Sequence, residues 1–310
     1  MNRFLYSLVL FIGIPFAIFR LLIKDTHDPS WTRKLKNQFG IVEKIPGRVI
    51  WTHCVSVGEF NASKPLIEKL MIQYPNHQII ISTTTITGFN AVNNYYKNNV
   101  KHCFFPFDIP FILDSFIRKI NPEICILLET EIWPNLIHIL KKKNIPTALI
   151  NARLSDKSFQ RYDKYSAKLV KASLNNLSLI CAQNSFSSDR FISLGANQEK
   201  MITTGSLKFD SNNTIDDKSI KTLKKIIGER KITVFASTRE GEEKQIIKSY
   251  INSADNINSL LIIIPRHPER FNEVFKLAKA SGLKVERRST ALQCSDDTDI
   301  LIGDTMGEMM

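Results

Sequence analysis

The chain of 310 residues carries 42 Lys and Arg against 30 Asp and Glu, a net charge of +12, with 43% hydrophobic and 23% charged residues. This is enough chain for two domains with packed cores, and a composition so near the globular average excludes collagen, disorder and a polytopic membrane protein. The five cysteines (Cys54, Cys103, Cys125, Cys181, Cys294) are scattered without a C-x-x-C pair, which argues against a disulfide scaffold and a zinc site and fits a reducing cytosol.

In chain order, the first feature is the uncharged run Phe4–Phe19, followed after Arg20 by Leu21, Leu22 and Ile23. Its length is borderline for a membrane span, and no small-residue cleavage site follows, so it reads as an uncleaved anchor or an interfacial helix. Arg20, Lys24, Arg33, Lys34 and Lys36 follow the run while only Arg3 precedes it, which leaves the body of the protein on the cytoplasmic side. The positive excess calls for an anionic partner. Nucleic acid ranks last among the candidates, because short basic groups such as Lys141–Lys143 come with no nucleic-acid motif.

From Arg48 onward, short β-branched and apolar runs alternate with segments of helical period, the pattern of a parallel α/β sheet. The spacing predicts strands at Arg48–Val55, Gln78–Ser82, His102–Phe105, Ile124–Leu128, Thr147–Ile150, Leu177–Ala182 and Ile202–Thr204. The polar stretch Asp210–Lys218 then reads as a linker, after which Ile232–Ala236, Leu260–Ile264, Leu283–Val285 and Ile300–Ile302 begin a second series. The expected organisation is a membrane-associated helix over 1–24, a Rossmann-like domain over 25–210 and a partial second Rossmann-like domain over 211–310.

In such sheets the reactive groups follow the carboxyl ends of strands. After the first strand comes Ser56-Val57-Gly58-Glu59, where Gly58 suits a tight turn and Glu59 opens a helix whose N-terminus favours the ionised carboxylate. Glu59 is then either a proton acceptor or simply a partner of the helix dipole. After Ile124–Leu128 come Glu129 and Glu131, one of which can enter the crevice, then Trp133 as a wall for a sugar or acyl chain or as a packing residue, with Pro134 opening the next helix. Lys208, in the turn after Thr204, is placed either for a phosphate or for solvent. In the second series Arg266 and His267 follow a strand, and an Arg there can hold a phosphate through two hydrogen bonds. Ser237–Glu243 is a weaker anion-site candidate, and Asp297-Thr298-Asp299 reads as solvated surface, so no metal is expected.

The segments WTHCVSVGEFNASKPLI (Trp51–Ile67), TTTITG, FFPFDIP, LLETEIWPNLI (Leu127–Ile137), NARLSDKSFQRY, CAQNSFSSDRFISLGA, TGSLKFD (Thr204–Asp210), PRHPERF (Pro265–Phe271) and GDTMGE (Gly303–Glu308) closely resemble the 3-deoxy-D-manno-octulosonic acid (Kdo) transferase family of lipopolysaccharide synthesis. The resemblance implies a GT-B glycosyltransferase at the cytoplasmic face of the inner membrane, metal-free and inverting, that transfers Kdo from CMP-Kdo to the lipid A precursor lipid IV-A. It implies Glu59 as general base, Glu129 and Lys208 as stabilisers of the transition state, and Pro265, Arg266, Met306, Gly307 and Glu308 as CMP contacts. Two departures accompany it. Arg239 stands where the family shows His, and the family's glycine-rich turn and N-P-L-E segment, which complete the nucleotide site, do not follow Glu308 here. The expectation is therefore a transferase, with a catalytically impaired remnant that binds lipid IV-A as the rival reading.

Overall fold

The computed structural model describes the chain except residues 25–27, 211–216, 254–258, 291–293 and 306–310. It divides into two compact units, Met1–Asn212 and Asn213–Met310.

In the first unit the elements run α1 (Arg3–Lys24), α2 (Trp31–Gln38), β1 (Arg48–His53), α3 (Val57–Gln73), β2 (His77–Thr83), α4 (Ile86–Tyr96), β3 (Lys101–Phe104), α5 (Pro110–Ile120), β4 (Pro122–Leu128), α6 (Pro134–Lys142), β5 (Thr147–Ala152), α7 (Asp156–Asn176), β6 (Leu179–Ala182), α8 (Ser185–Ser193) and β7 (Met201–Thr203). The seven strands form a parallel sheet in the order β3-β2-β1-β4-β5-β6-β7. The strands are apolar on both faces because helices cover both. Alternation along β1 shows it: Val49 and Trp51 enter one layer with Phe105, Leu113 and Phe116, while Ile50 enters the other with Phe60 and Ile67. Helix starts follow local chemistry, with Ser56, Thr85, Ser155 and Asn184 accepting backbone N–H groups at the N-caps of α3, α4, α7 and α8, and prolines in the first turns of α5 and α6. The strand order reverses between β1 and β4, which opens a crevice at their carboxyl ends.

Helix α1 turns Phe4, Phe11, Ile12 and Phe16 to solvent, and no described helix is long and apolar enough to cross a membrane. It is fastened to the unit by polar bonds instead. The Tyr6 hydroxyl donates to Asp108 Oδ2 at 2.9 Å, and Ser7 Oγ exchanges hydrogen bonds with Asn135.

The second unit contains α9 (Asp217–Ile227), β8 (Lys231–Thr238), α10 (Glu242–Ile251), β9 (Ser259–Pro265), α11 (Phe271–Lys279), β10 (Val285–Arg287) and β11 (Ile300–Ile302), with a parallel sheet in the order β10-β11-β9-β8. The third strand begins two residues later than its apolar run suggests. Leu283 packs on the core, but pairing with β11 starts at Val285 opposite Ile300.

Candidate active site

The crevice between β1 and β4 is built first from the capping of α3. Ser56 Oγ accepts the Glu59 N–H at 3.4 Å, and Glu59 Oε2 accepts the Val55 N–H at 2.7 Å, so the carboxylate is folded back against the end of β1. Two sequence expectations change here. Gly58 lies inside the first turn of α3 and an added Cβ would meet nothing nearer than Ser56 Oγ at 3.8 Å, so the turn does not need its backbone freedom. Nor does the helix N-terminus hold Glu59 in the ordinary carboxylate range. Burial outweighs the Val55 N–H, and the charges of Glu131 and Glu129 add to it, pushing the pKa up to about 7.

At the end of β4 the chain turns sharply through Glu129, which adopts φ +55° while its N–H donates to Ile150 O at 3.0 Å. A left-handed residue with a side chain costs about 1–2 kcal/mol, and such residues gather where a site needs a particular side-chain direction. Glu131, two residues on, is mostly buried, and burial, opposed by the indole N–H of Trp133 and helped by the Glu129 charge, pushes it up to about 7. Trp133 packs on Phe105 with ring centroids 4.8 Å apart and forms the N-cap position of α6, so much of its surface is committed to packing. The start of α6 is fixed by Asp108, whose carboxylate accepts Asn135 N–H at 3.1 Å and Leu136 N–H at 2.8 Å besides the Tyr6 hydroxyl. Burial pushes Asp108 up to about 6 despite these donors.

Lys208 comes from the far side of the sheet. Strand β7 is four positions from β1, about 19 Å at the usual strand spacing, yet the turn Leu207–Asp210 folds back and packs on α3. Leu207 N donates to Asn151 Oδ1 at 3.1 Å, and its side chain joins the core layer of Phe60 and Ile67. The exposed Lys208 therefore belongs to a turn that packs on the helix carrying Glu59.

In the second unit Pro265 ends β9 and is buried, while Arg266 is exposed and its N–H donates to Thr238 O at 3.0 Å. The neighbouring helix start is already supplied with acid. Glu242 Oε2 accepts the Arg239 N–H at 2.7 Å, and the buried Glu243 takes Arg270 in two bonds of 2.8 and 3.1 Å, which leaves Ser237–Glu243 poorly suited to a further anion. His267 lies 3.9 Å from Glu269. Asp297 pairs with Lys284 and Asp299 accepts the Lys284 N–H, so this D-x-D staples a turn. Met306, Gly307 and Glu308 lie outside the described residues. Among the described residues no three His, Cys, Asp or Glu side chains converge to hold a metal ion.

Two residues that sequence reasoning did not select shape the crevice. Asp108 caps α6 and so fixes the segment carrying Glu129 and Glu131. His53, the last residue of β1, is fully buried under that segment, stacked on Phe105 at 3.9 Å. The polar residues in the otherwise apolar run RVIWTHCV and in FFPFDIP are the signal that was available.

Several known proteins are similar to this chain in sequence or in fold. The family model for 3-deoxy-D-manno-octulosonic-acid transferase (kdotransferase) matches residues 33–211. The chain is 38% identical, over its whole length, to the 3-deoxy-D-manno-octulosonic acid transferase of Haemophilus influenzae, of which it spans 74%. It is 30% identical over 84% of its length to the Bordetella pertussis transferase, of which it spans 62%. In fold it is similar to the UDP-GlcNAc 2-epimerase of Neisseria meningitidis bound to UDP-GlcNAc, with a TM-score of 0.56 over 84% of this chain and 72% of the other at 12% identity.

Proposed function

The chain belongs to the Kdo transferase family, and from that premise we propose that it transfers Kdo from CMP-Kdo to lipid IV-A, with inversion, as a GT-B enzyme of lipopolysaccharide synthesis. The acceptor hydroxyl gives its proton to Glu59 as its oxygen bonds to the anomeric carbon of Kdo, and the bond from that carbon to the phosphate breaks with its electron pair leaving on CMP. Glu129 stabilises the oxocarbenium-like sugar, and the Lys208 ammonium stabilises charge developing on the departing phosphate. Pro265 and Arg266, together with Met306, Gly307 and Glu308, hold CMP, and no metal takes part.

The observation that carries the reading is Glu59. A carboxylate held by one backbone N–H at the switch point, with a pKa near 7, is poised to accept a proton at neutral pH. The exposed aromatic and aliphatic side chains of α1 support placement of this helix at the cytoplasmic surface of the inner membrane. The +12 charge suits an acceptor that bears phosphates among anionic lipids.

The test is incubation of the purified chain in detergent with fresh CMP-Kdo and lipid IV-A, with acceptor mass followed by mass spectrometry. A gain of one or more Kdo units supports the reading. No gain from folded protein that binds both substrates refutes it.

A further inference from the structure

His53 ends β1 directly beneath the segment that carries Glu129 and Glu131. Its Nδ1 lies 3.1 Å from Ser82 O and 2.9 Å from Ser82 Oγ. A carbonyl oxygen only accepts, so Nδ1 bears the proton and the neutral ring presents a bare lone pair at Nε2. Stacking on Phe105, with Trp133 edge-on at 6.5 Å, holds the ring plane. Nε2 is buried without a hydrogen-bond partner and faces Glu131 Oε2 at 4.0 Å. An orphaned buried acceptor costs about 1–3 kcal/mol, a strong incentive to find a donor. The carboxyl that faces it is that of Glu131, whose side chain is 20% exposed.

We propose that His53 is a positioning residue, which accepts the acidic proton of Glu131 at Nε2 and so holds that carboxyl neutral and fixed in the crevice beside Glu59. Burial acts in the same sense on both partners, raising Glu131 to about 7 against the nearby indole N–H of Trp133, which favours the ionised form, and depressing His53 to about 3, so the pair keeps one proton on the carboxyl side. The other titratable groups around it are Glu59 from α3, Glu129 from the end of β4, the buried His102 from β3, which responds to His53, and Tyr162 from α7, which responds to the Glu131 charge. Three carboxylates ionised together would oppose one another. Neutralising Glu131 leaves Glu59 free to ionise near neutral pH, and in this respect the inference rests on the reading of Glu59 as the base.

Two measurements test it. In the full-length chain with 15N-labelled histidine, the His53 signals are identified by their loss in His53→Asn. They are expected to report an Nδ1–H tautomer that stays neutral from pH 5 to 8, with an Nε2 resonance that moves in Glu131→Ala. An Nε2–H tautomer, or an Nε2 resonance indifferent to Glu131→Ala, overturns the proposal whether or not the protein transfers Kdo. In the transfer assay His53→Asn keeps a donor for Ser82 but lacks Nε2. Its kcat/KM acid limb is expected to move up by about one pH unit, a roughly tenfold loss below the limb, with KM for CMP-Kdo unchanged and partial recovery in His53→Gln, which keeps a polar atom at the ε position. An unmoved limb in an active His53→Asn enzyme overturns the proposal. Absence of transfer in the unmodified chain counts against the transferase reading and leaves the 15N result to decide this one.

Discussion

Replacing Glu59 by Gln separates the carboxylate's role in chemistry from its effect on folding. Its pKa rises from an ordinary 4.5 to about 7 in the fold, mainly through burial, and each unit corresponds to about 1.36 kcal/mol. The ionised form therefore costs the native state about 3 kcal/mol before screening, and about 1–2 kcal/mol once its partial contact with water is allowed for. The sign follows from the direction of the shift. A carboxyl whose pKa is raised on folding contributes its stability in full below its unfolded pKa and loses it as pH rises through about 7. A Gln resembles the neutral acid and its amide oxygen still accepts the Val55 N–H. Glu59→Gln is thus expected to melt with the unmodified protein at pH 3.5 and about 2–8 °C above it at pH 8.5, by the usual scaling for a domain of this size, while Kdo transfer falls by about 10²–10⁴-fold. Calorimetry at the two pH values and the mass-spectrometric assay read these effects. An equal gap at both pH values would show that Glu59 is not a carboxylate strained by burial, and transfer within a factor of ten of normal would remove it as the base.

Tyr6→Phe deletes one of the donors to Asp108 and is expected to cost about 1.5–3 kcal/mol of α1 docking. Hydrogen exchange should show α1 losing protection while β1 and β4 keep theirs, and unchanged α1 protection would contradict it. Arg270→Met leaves Glu243, whose side chain is 1% exposed, without its bidentate partner, and should lower the stability of the second unit by about 3–5 kcal/mol, most of which returns in Arg270→Met/Glu243→Leu. A cost below 1 kcal/mol in denaturant unfolding would show the pair to be dispensable. Arg266→Ala, at an exposed position, should weaken CMP binding by about 10–100-fold in calorimetric titration with the melting temperature unchanged. CMP affinity equal to that of the unmodified chain would exclude Arg266 from the phosphate contact.

Much of the framework was legible because each strand is an apolar run bounded by turn residues. β4 and β9 begin and end within two residues of their runs, and Pro134 sits where its missing N–H marks a helix start. Strand ends were read less well where pairing rather than hydrophobicity decides them, as at Val285. The chemistry at the site was only half legible. Position at a strand end placed Glu59 and Glu129 at the crevice, but the protonation of Glu59 could not be inferred from its helix position, because burial by residues distant in sequence outweighs the helix N-terminus. His53 and Asp108 act through Ser82, Glu131, Tyr6 and Asn135, contacts made only once the sheet has formed. The local runs show two polar residues among apolar ones but not the partners they take.

The fastening of α1 has a consequence for how the chain is made. Its two polar anchors reach partners 102 and 128 residues further along, so the ribosome delivers the helix long before anything can receive it. At ordinary translation speeds of about 5–20 residues per second that interval is roughly 5–25 s. For those seconds a nascent segment rich in Phe, Leu and Ile lacks Asp108 and Asn135, the partners that fasten Tyr6 and Ser7 in the finished unit. The body of the protein therefore closes onto a helix that was made well before the residues that hold it.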